Sequence, residues 1–236
     1  MLVFACFMAE TRINSKIVLK VYYTIKGLIL NSKTHGEYDK LVTIYSYEWG
    51  KIQAVVPGAK RITAKLSAAT ELLTESEFMV YNNHPSIRSK VTGADIIRNN
   101  AKIKTDFQRN LYALYAAEIG DKFAPFNLEN HEKYDLIVRI WEILGICKYP
   151  KCALTAFALR FLKLSGYSFS DYLKNANVVV DKSVEKNIKK LSNCSGNDVD
   201  LFEELEGDKI WNYVETYITN YIRRPSISVF LQKIDR

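Results

Sequence analysis

Apolar and polar positions alternate with a period of two through much of the first hundred residues, which is typical of β-strands. The alternation is clearest in LVTIYS (41–46) and KIQAVV (51–56), which are joined by a tight turn where Gly50 favours a positive φ. Three further runs extend the pattern, over residues 17–30, 71–81 and 86–97. Five strands in a small antiparallel unit leave no open edge when they close on themselves, so the pattern favours a β-barrel, although other antiparallel arrangements share it.

After the fifth predicted strand the apolar residues recur with the 3.6-residue period of helices. Thr105 and Gln108 have capping-box spacing and predict the start of a first helix, which Pro125 ends. Further apolar stripes predict helices around residues 137–144, 154–161 and 211–221, while residues 168–200 are less regular. The predicted fold class is therefore α+β, with a five-stranded barrel followed by an all-α helical domain.

Charge is concentrated in the predicted barrel. The chain has a formal net charge of +7, and residues 15–90 hold eleven basic and six acidic residues, a net +5. A cationic surface suits a polyanion, because each lysine or arginine that binds a phosphate releases counterions. The alternative for such a cluster is an ordinary solvated face.

The segment after the third predicted strand, PGAKRITAKLS (57–67), carries three cations on a connection that Gly58 allows to turn. With lysines near the other turns, it forms a predicted nucleic-acid surface. The members of that surface are Lys26, Lys40, Lys51, Lys60, Arg61 and Lys65. Trp49 lies at the hairpin turn and is the best candidate for an exposed aromatic residue that could stack on a base. The alternative is that its ring packs in the core, as alternation predicts for half of the aromatic residues of these strands.

Two arginines in the helical half, Arg139 and Arg160, are candidates for binding the carboxylate of a partner peptide, since a guanidinium binds both carboxylate oxygens. The alternative for each is an ordinary helix-surface arginine.

The sequence lacks the residue patterns of common enzymes. Glu37 and Asp39 share a predicted strand face, but no nucleophile or metal-binding cluster accompanies them, so we expect a role in the turn. The four cysteines lack the paired spacing of a zinc site, and no phosphate-binding or dinucleotide-binding glycine motif is present. We expect no catalytic residue, no metal and no cofactor. No apolar run reaches the roughly 18 residues of a membrane helix, so we expect a cytoplasmic protein.

The order and spacing of these motifs resemble the RecO family of bacterial recombination-mediator and DNA-repair proteins. Its N-terminal pattern corresponds here to GEYDKLVT (36–43), GK (50–51) and GAKR (58–61) followed by Ser67, and ALRFLKLSGY (158–167) and RRPSISVFL (223–231) resemble its later motifs. The resemblance implies an OB-fold over residues 21–98, after an extension over residues 1–20, and a helical C-terminal domain over residues 99–236.

The resemblance also implies a non-enzymatic function. The family would bind single- and double-stranded DNA, anneal complementary strands and assist the loading of RecA onto DNA coated by single-strand-binding protein. RecR and the C-terminal tail of single-strand-binding protein would be partners, RecA an indirect one, and the protein would be associated with the nucleoid. An OB-fold scaffold that grips proteins and binds no nucleic acid is the alternative.

Two positions depart from the family pattern. Many relatives carry a four-cysteine zinc site just after the Gly-Tyr of the third helix, whereas SFSDYLKNANVVV (168–180) contains no cysteine. We therefore assign no zinc, and the zinc-site region is degenerate. Relatives also tend to have a basic residue before the loop glycine, where this chain has Pro57. DNA contacts would then depend more on the cations that follow Gly58.

Overall fold

A computed structural model describes residues 21–61, 66–82, 89–175, 182–193 and 204–221. The chain divides into two compact units. The first contains the strands up to Asn99 together with a returning segment, Pro125–Glu129, and the second contains Asn100–Ala124 and the chain from Asn130 onward. The returning segment therefore interrupts the helical unit in sequence but belongs to the β unit.

The strands of the first unit form one sheet that closes on itself in the order β1-β2-β3-β5-β4. They are β1 (Val21–His35), β2 (Asp39–Ser46), β3 (Gly50–Val56), β4 (Glu75–Asn82) and β5 (Ser89–Arg98), with a short helix α1 (Leu66–Ala69) between β3 and β4. Every pair is antiparallel except β3 with β5, where two residue pairs align in parallel. This strand order, with only a short pairing between β3 and β5, is that of the OB-fold, a partly open five-stranded barrel.

The first strand is long because it pairs with two neighbours. Residues 21–28 pair with β4, and residues 27–35 pair with β2. A register shift between Ile29 and Asn31 interrupts the β2 pairing, and such bulges bend a strand. The predicted end at residue 30 was therefore too early, because NSKTH (31–35) continues the ladder.

Along the strands, every second side chain points into the barrel interior, as the alternating pattern predicted. The buried core consists of Ile25, Ile29, Val42, Ile44, Ile52, Ala54, Val56, Ala59, Phe78, Val80 and Val91. The fourth strand begins later than predicted, at Glu75, because α1 and a turn occupy the preceding residues. In that turn Leu73 has φ +63° and is buried, and its N–H donates to the Ile29 carbonyl at 3.3 Å.

The helical unit is built around one buried helix. Its helices are α2 (Ala101–Thr105), α3 (Phe107–Phe123), α4 (His131–Leu144), α5 (Pro150–Leu164), α6 (Phe169–Asn175), α7 (Lys182–Asn193) and α8 (Glu204–Tyr221). α5 contacts α3, α4, α7 and α8, and its residues 152–159 are all buried. A helix that is apolar on all sides is expected at such a central position. The strands followed by helices confirm the predicted α+β class.

Two local predictions in this unit need correction. The N-cap of α3 is Asp106, whose carboxylate accepts from the Arg109 N–H at 3.0 Å. Thr105 instead ends α2, and its hydroxyl donates to the Ala101 carbonyl at 3.2 Å, so the predicted capping box was wrong. Residues 168–200 also contain two helices, α6 and α7, that the less regular pattern did not indicate.

Candidate nucleic-acid interface

Two connections of the barrel lie against each other: the turn between β1 and β2, and the segment that follows β3. Asp39 Oδ1 accepts a hydrogen bond from the Gly58 N–H at 2.8 Å. The Lys60 N–H donates to the Tyr38 carbonyl at 2.9 Å, and Lys60 Nζ donates to the Gly36 carbonyl at 3.3 Å. We call the residues so joined, 36–40 and 57–61, the rim cluster.

Glycine makes both connections possible. Gly36 and Gly58 each have φ +64°, in the left-handed region that other residues adopt at a cost. The Arg61 N–H closes the second connection onto the Gly58 carbonyl at 3.0 Å. Asp39 therefore has a structural role, but its carboxylate joins the two connections across a sequence separation of 19 residues rather than bonding within its own turn.

The rim cluster presents three cations. Lys60 and Arg61 are exposed, and Lys40 is half-buried. Its two carboxylates have partners within the cluster. That of Asp39 binds the Gly58 N–H, and that of Glu37 accepts a hydrogen bond from the Tyr38 hydroxyl, which raises the pKa of Tyr38. These neutral donors do not cancel the carboxylate charges, so three cations and two carboxylates give the rim cluster a formal net charge of +1.

An aromatic ring lies among these cations. The Arg61 guanidinium carbon is 5.2 Å from the centroid of the Tyr38 ring, and 46% of Tyr38 is exposed. An exposed ring next to a guanidinium offers stacking together with charge, the combination that single-stranded nucleic acid uses. Sequence reasoning did not single out Tyr38, although its place between Glu37 and Asp39 in the turn was a usable signal.

Trp49, predicted as the exposed aromatic, is half-buried and packs against the barrel core. Its ring meets the Tyr23 ring edge-on at 5.0 Å between centroids. The backbone N–H of Trp49 donates to the Ser46 hydroxyl at 3.2 Å, which stabilises the turn. Of these two aromatic residues, Tyr38 rather than Trp49 is therefore the exposed one.

Lys51, predicted to contact DNA, is only 5% exposed. Its ammonium lies 4.2 Å from the centroid of the Phe126 ring, and its carbonyl accepts from the Asn127 N–H at 2.9 Å. Both partners belong to the returning segment Pro125–Glu129. Because this segment covers the side chain, we exclude Lys51 from the candidate interface.

Lys26 also has a structural role in the barrel. Its Nζ is 3.3 Å from Glu75 Oε1, and Arg98 Nε is 3.4 Å from Glu75 Oε2. The Glu75 side chain is buried, so the two cations compensate a charge that would otherwise be costly inside the fold. Lys26 is half-exposed, but its ammonium forms an ion pair with the Glu75 carboxylate. Lys65, the remaining predicted residue, lies outside the described residues.

The two predicted peptide-binding arginines are in the helical unit. Arg139 is exposed on α4, and Arg160 is half-buried on α5. α4 and α5 contact each other. Within the described ranges, no group of three or more histidine, cysteine, aspartate or glutamate residues is placed to hold a metal ion. No helix in the described part of the chain is long and apolar enough to span a membrane.

Comparison with known proteins connects the rim cluster to a family. Residues 20–100 match the family described as Recombination protein O N terminal. The chain is 30% identical over 145 residues to the DNA repair protein RecO of Heliobacterium modesticaldum, a match that covers 61% of this chain and 52% of the relative. It is 27% identical over 200 residues to the DNA repair protein RecO of Acetivibrio thermocellus, covering 82% and 79%.

A third relative, the DNA repair protein RecO of Moorella thermoacetica, is 30% identical over 144 residues, covering 61% of this chain and 53% of the relative. The match spans about half the length of this relative and of the Heliobacterium one. All strands of the barrel and the whole rim cluster lie within the family match. Residues 20–100 of the chain are therefore similar to the N-terminal domain of the RecO family.

Proposed function

We propose that this protein is a DNA-binding recombination mediator in DNA repair. It anneals complementary strands and assists the loading of RecA onto single-stranded DNA coated by single-strand-binding protein. The observation that carries the proposal is the rim cluster, in which three hydrogen bonds hold Lys60 and its neighbours against the β1–β2 turn. The relatives named DNA repair protein RecO support a role in repair.

The rim cluster supplies the two interactions that a single strand needs. Lys40, Lys60 and Arg61 neutralise phosphates, and the Tyr38 ring receives a base, an interaction worth roughly 1–3 kcal/mol. Annealing on such a surface requires no covalent step, because the cations screen the repulsion between two phosphate backbones while the bases pair. The proposed activity is therefore non-enzymatic.

The proposed protein partners bind elsewhere. We propose that Arg139 and Arg160 receive the acidic C-terminal tail of single-strand-binding protein, since a guanidinium binds a carboxylate through two parallel hydrogen bonds. RecR is a further proposed partner, double-stranded DNA a further ligand, and RecA is reached indirectly through the coated strand. The proposed location is the cytoplasm, in association with the nucleoid.

A charge-matched pair of variants tests the DNA surface. Lys60→Ala with Arg61→Ala removes two exposed cations from the rim cluster, whereas Lys102→Ala with Lys122→Ala removes two exposed cations from the helical unit. Fluorescence anisotropy with a labelled oligodeoxythymidylate, at several salt concentrations, measures the dissociation constant and its salt dependence.

The rim variant is expected to bind roughly thirtyfold more weakly at low salt, taking about 1 kcal/mol for each lost phosphate contact. Its slope of log K against log salt should fall by about 1.4, since each single-strand phosphate contact contributes about 0.7. The control variant should keep both values. An unchanged slope in the rim variant would place the DNA elsewhere, and a wild-type protein that ignores oligonucleotides in dilute buffer would favour the protein-scaffold alternative.

A further inference from the structure

A cleft of about 460 Å³ opens between α7 and α8 in the helical unit. Its lining residues are Ser183, Val184, Asn187, Lys209, Ile210, Asn212 and Tyr213. Ile210 is buried and forms an apolar floor, while most of the other side chains are hydrogen-bonding groups and none is acidic. The volume is within the range of sites that hold small organic groups.

Lysines lie in or beside this cleft on both helices. Lys209 lines the cleft from α8, and Lys186 and Lys190 follow the lining residue Ser183 by three and seven residues, which makes them its neighbours on the surface of α7. All three are exposed. The next lysine of α7, Lys189, lies on another side, where it pairs with Glu185 at 2.8 Å. Cations therefore lie in or beside the cleft without a carboxylate among the lining residues.

We propose that the α7–α8 cleft binds a single strand of nucleic acid, separately from the rim cluster. The lysines bind successive phosphates, a base enters the cleft against the half-buried Tyr213 ring, and the amides of Asn187 and Asn212 face its polar edge. This inference rests on the proposed function, because annealing brings two strands together and the rim cluster accounts for one of them.

The chemistry favours nucleic acid over an acidic peptide. Residues 182–193 and 204–221 contain no arginine, the side chain that best matches a carboxylate with two parallel hydrogen bonds. Lysine binds phosphate well as a point charge. Amide side chains both donate and accept, as base edges do, and a tyrosine ring stacks on any base. The combination in this cleft therefore suits a phosphate backbone with one base turned inward.

Photocrosslinking tests the proposal on the full chain without a variant. An oligonucleotide containing 5-iodouracil is irradiated with the wild-type protein, and the crosslinked peptides are identified by mass spectrometry. We expect crosslinks at Tyr213 in α8 in addition to crosslinks in the barrel. Crosslinks confined to the barrel would overturn the proposal.

A variant then tests the role of the lysines. Lys186, Lys190 and Lys209 are changed together to Gln, and the control changes Lys102, Lys122 and Lys163, which are exposed elsewhere in the helical unit. The cleft variant should lose the Tyr213 crosslink and anneal roughly tenfold more slowly, because the second strand is no longer held. The control should match the wild type in both measurements, and equal crosslinking by the two variants would refute the proposal.

Two comparisons separate this inference from the proposed function. In the Lys60→Ala, Arg61→Ala background, the Tyr213 crosslink should persist while barrel crosslinks weaken. If the wild type binds and anneals DNA but the cleft variant crosslinks and anneals like the control variant, only the cleft inference fails. If the wild type binds no oligonucleotide, the proposed function fails. A polyglutamate peptide that blocks the Tyr213 crosslink at a lower concentration than unlabelled oligonucleotide would assign the cleft to acidic protein instead.

Discussion

Gly50 lies against the returning segment, and replacing it by alanine tests that packing. Gly50 has φ +67°, and an added Cβ would overlap the Leu128 carbonyl oxygen. That oxygen is a backbone atom, so it cannot turn aside as a flexible side chain would. Gly36 has a similar φ of +64° but no atom within 4 Å of its added Cβ. The two substitutions therefore separate the cost of the conformation from the cost of the contact.

The expected magnitudes follow from these contacts. A side chain in the left-handed region costs about 1–2 kcal/mol, which applies to Gly36→Ala and Gly50→Ala alike. At Gly50 the segment must also move away. It then loses the hydrogen bond from Asn127 to the Lys51 carbonyl, about 1 kcal/mol, and the contact of Lys51 with Phe126, about 0.5–1 kcal/mol. We expect Gly50→Ala to destabilise the barrel by roughly 2.5–4 kcal/mol in total.

Hydrogen exchange followed by mass spectrometry is the suitable assay, because two units need not unfold together and exchange reports on each segment separately. In Gly50→Ala, exchange in β2 and β3 should accelerate roughly a hundredfold or more, whereas in Gly36→Ala it should accelerate about tenfold. Equal acceleration in the two variants would show that Leu128 does not pack on Gly50, and would remove the reason for the burial of Lys51.

Two further predictions concern single side chains. Asp39→Ala removes the acceptor of the Gly58 N–H and should lower the stability of the barrel by about 1–2 kcal/mol. The substitution should also weaken oligonucleotide binding. If the variant instead binds with wild-type affinity, this hydrogen bond does not position the cations. Lys133 is 4% exposed, and burial lowers its pKa from the usual 10.5. The folded chain therefore holds this proton less tightly than the unfolded chain, so the free energy of unfolding should rise with pH between the lowered pKa and about 10.5. Urea unfolding between these pH values should show that the free energy of unfolding rises with pH in the wild type and rises less in Lys133→Met. If its pH dependence is identical in the two proteins, the Lys133 ammonium is hydrated in the folded state.

The parts of the fold that the sequence predicted well are those set by local periodicity. Strand β3 shows this, since Ile52, Ala54 and Val56 alternate in sequence and all three point into the core. The α7 helix was missed, although Ile188 and Leu191 are buried at helical spacing. With only two buried residues among many lysines, the apolar stripe was too narrow to stand out from a solvated segment.

The rim cluster was predicted only in part because it depends on a contact between distant residues. Asp39 and Gly58 were each recognised as turn residues from their own surroundings. Their mutual hydrogen bond, and the placement of Arg61 over Tyr38, require the barrel to bring two connections together. Residues that act through a local turn could therefore be named from sequence, whereas the stacking partner could not.

Lys51 shows why charge pattern alone does not define a binding surface. Alternation with the buried Ile52 correctly directs the Lys51 side chain out of the barrel interior. The returning segment then covers that outer face, although it lies more than seventy residues later in the chain. The Phe126 ring makes the burial tolerable, because the negative face of an aromatic ring replaces part of the lost hydration of an ammonium. A cation therefore belongs to the proposed DNA surface only if no distant segment covers it, a condition that Lys60 and Arg61 meet and Lys51 does not.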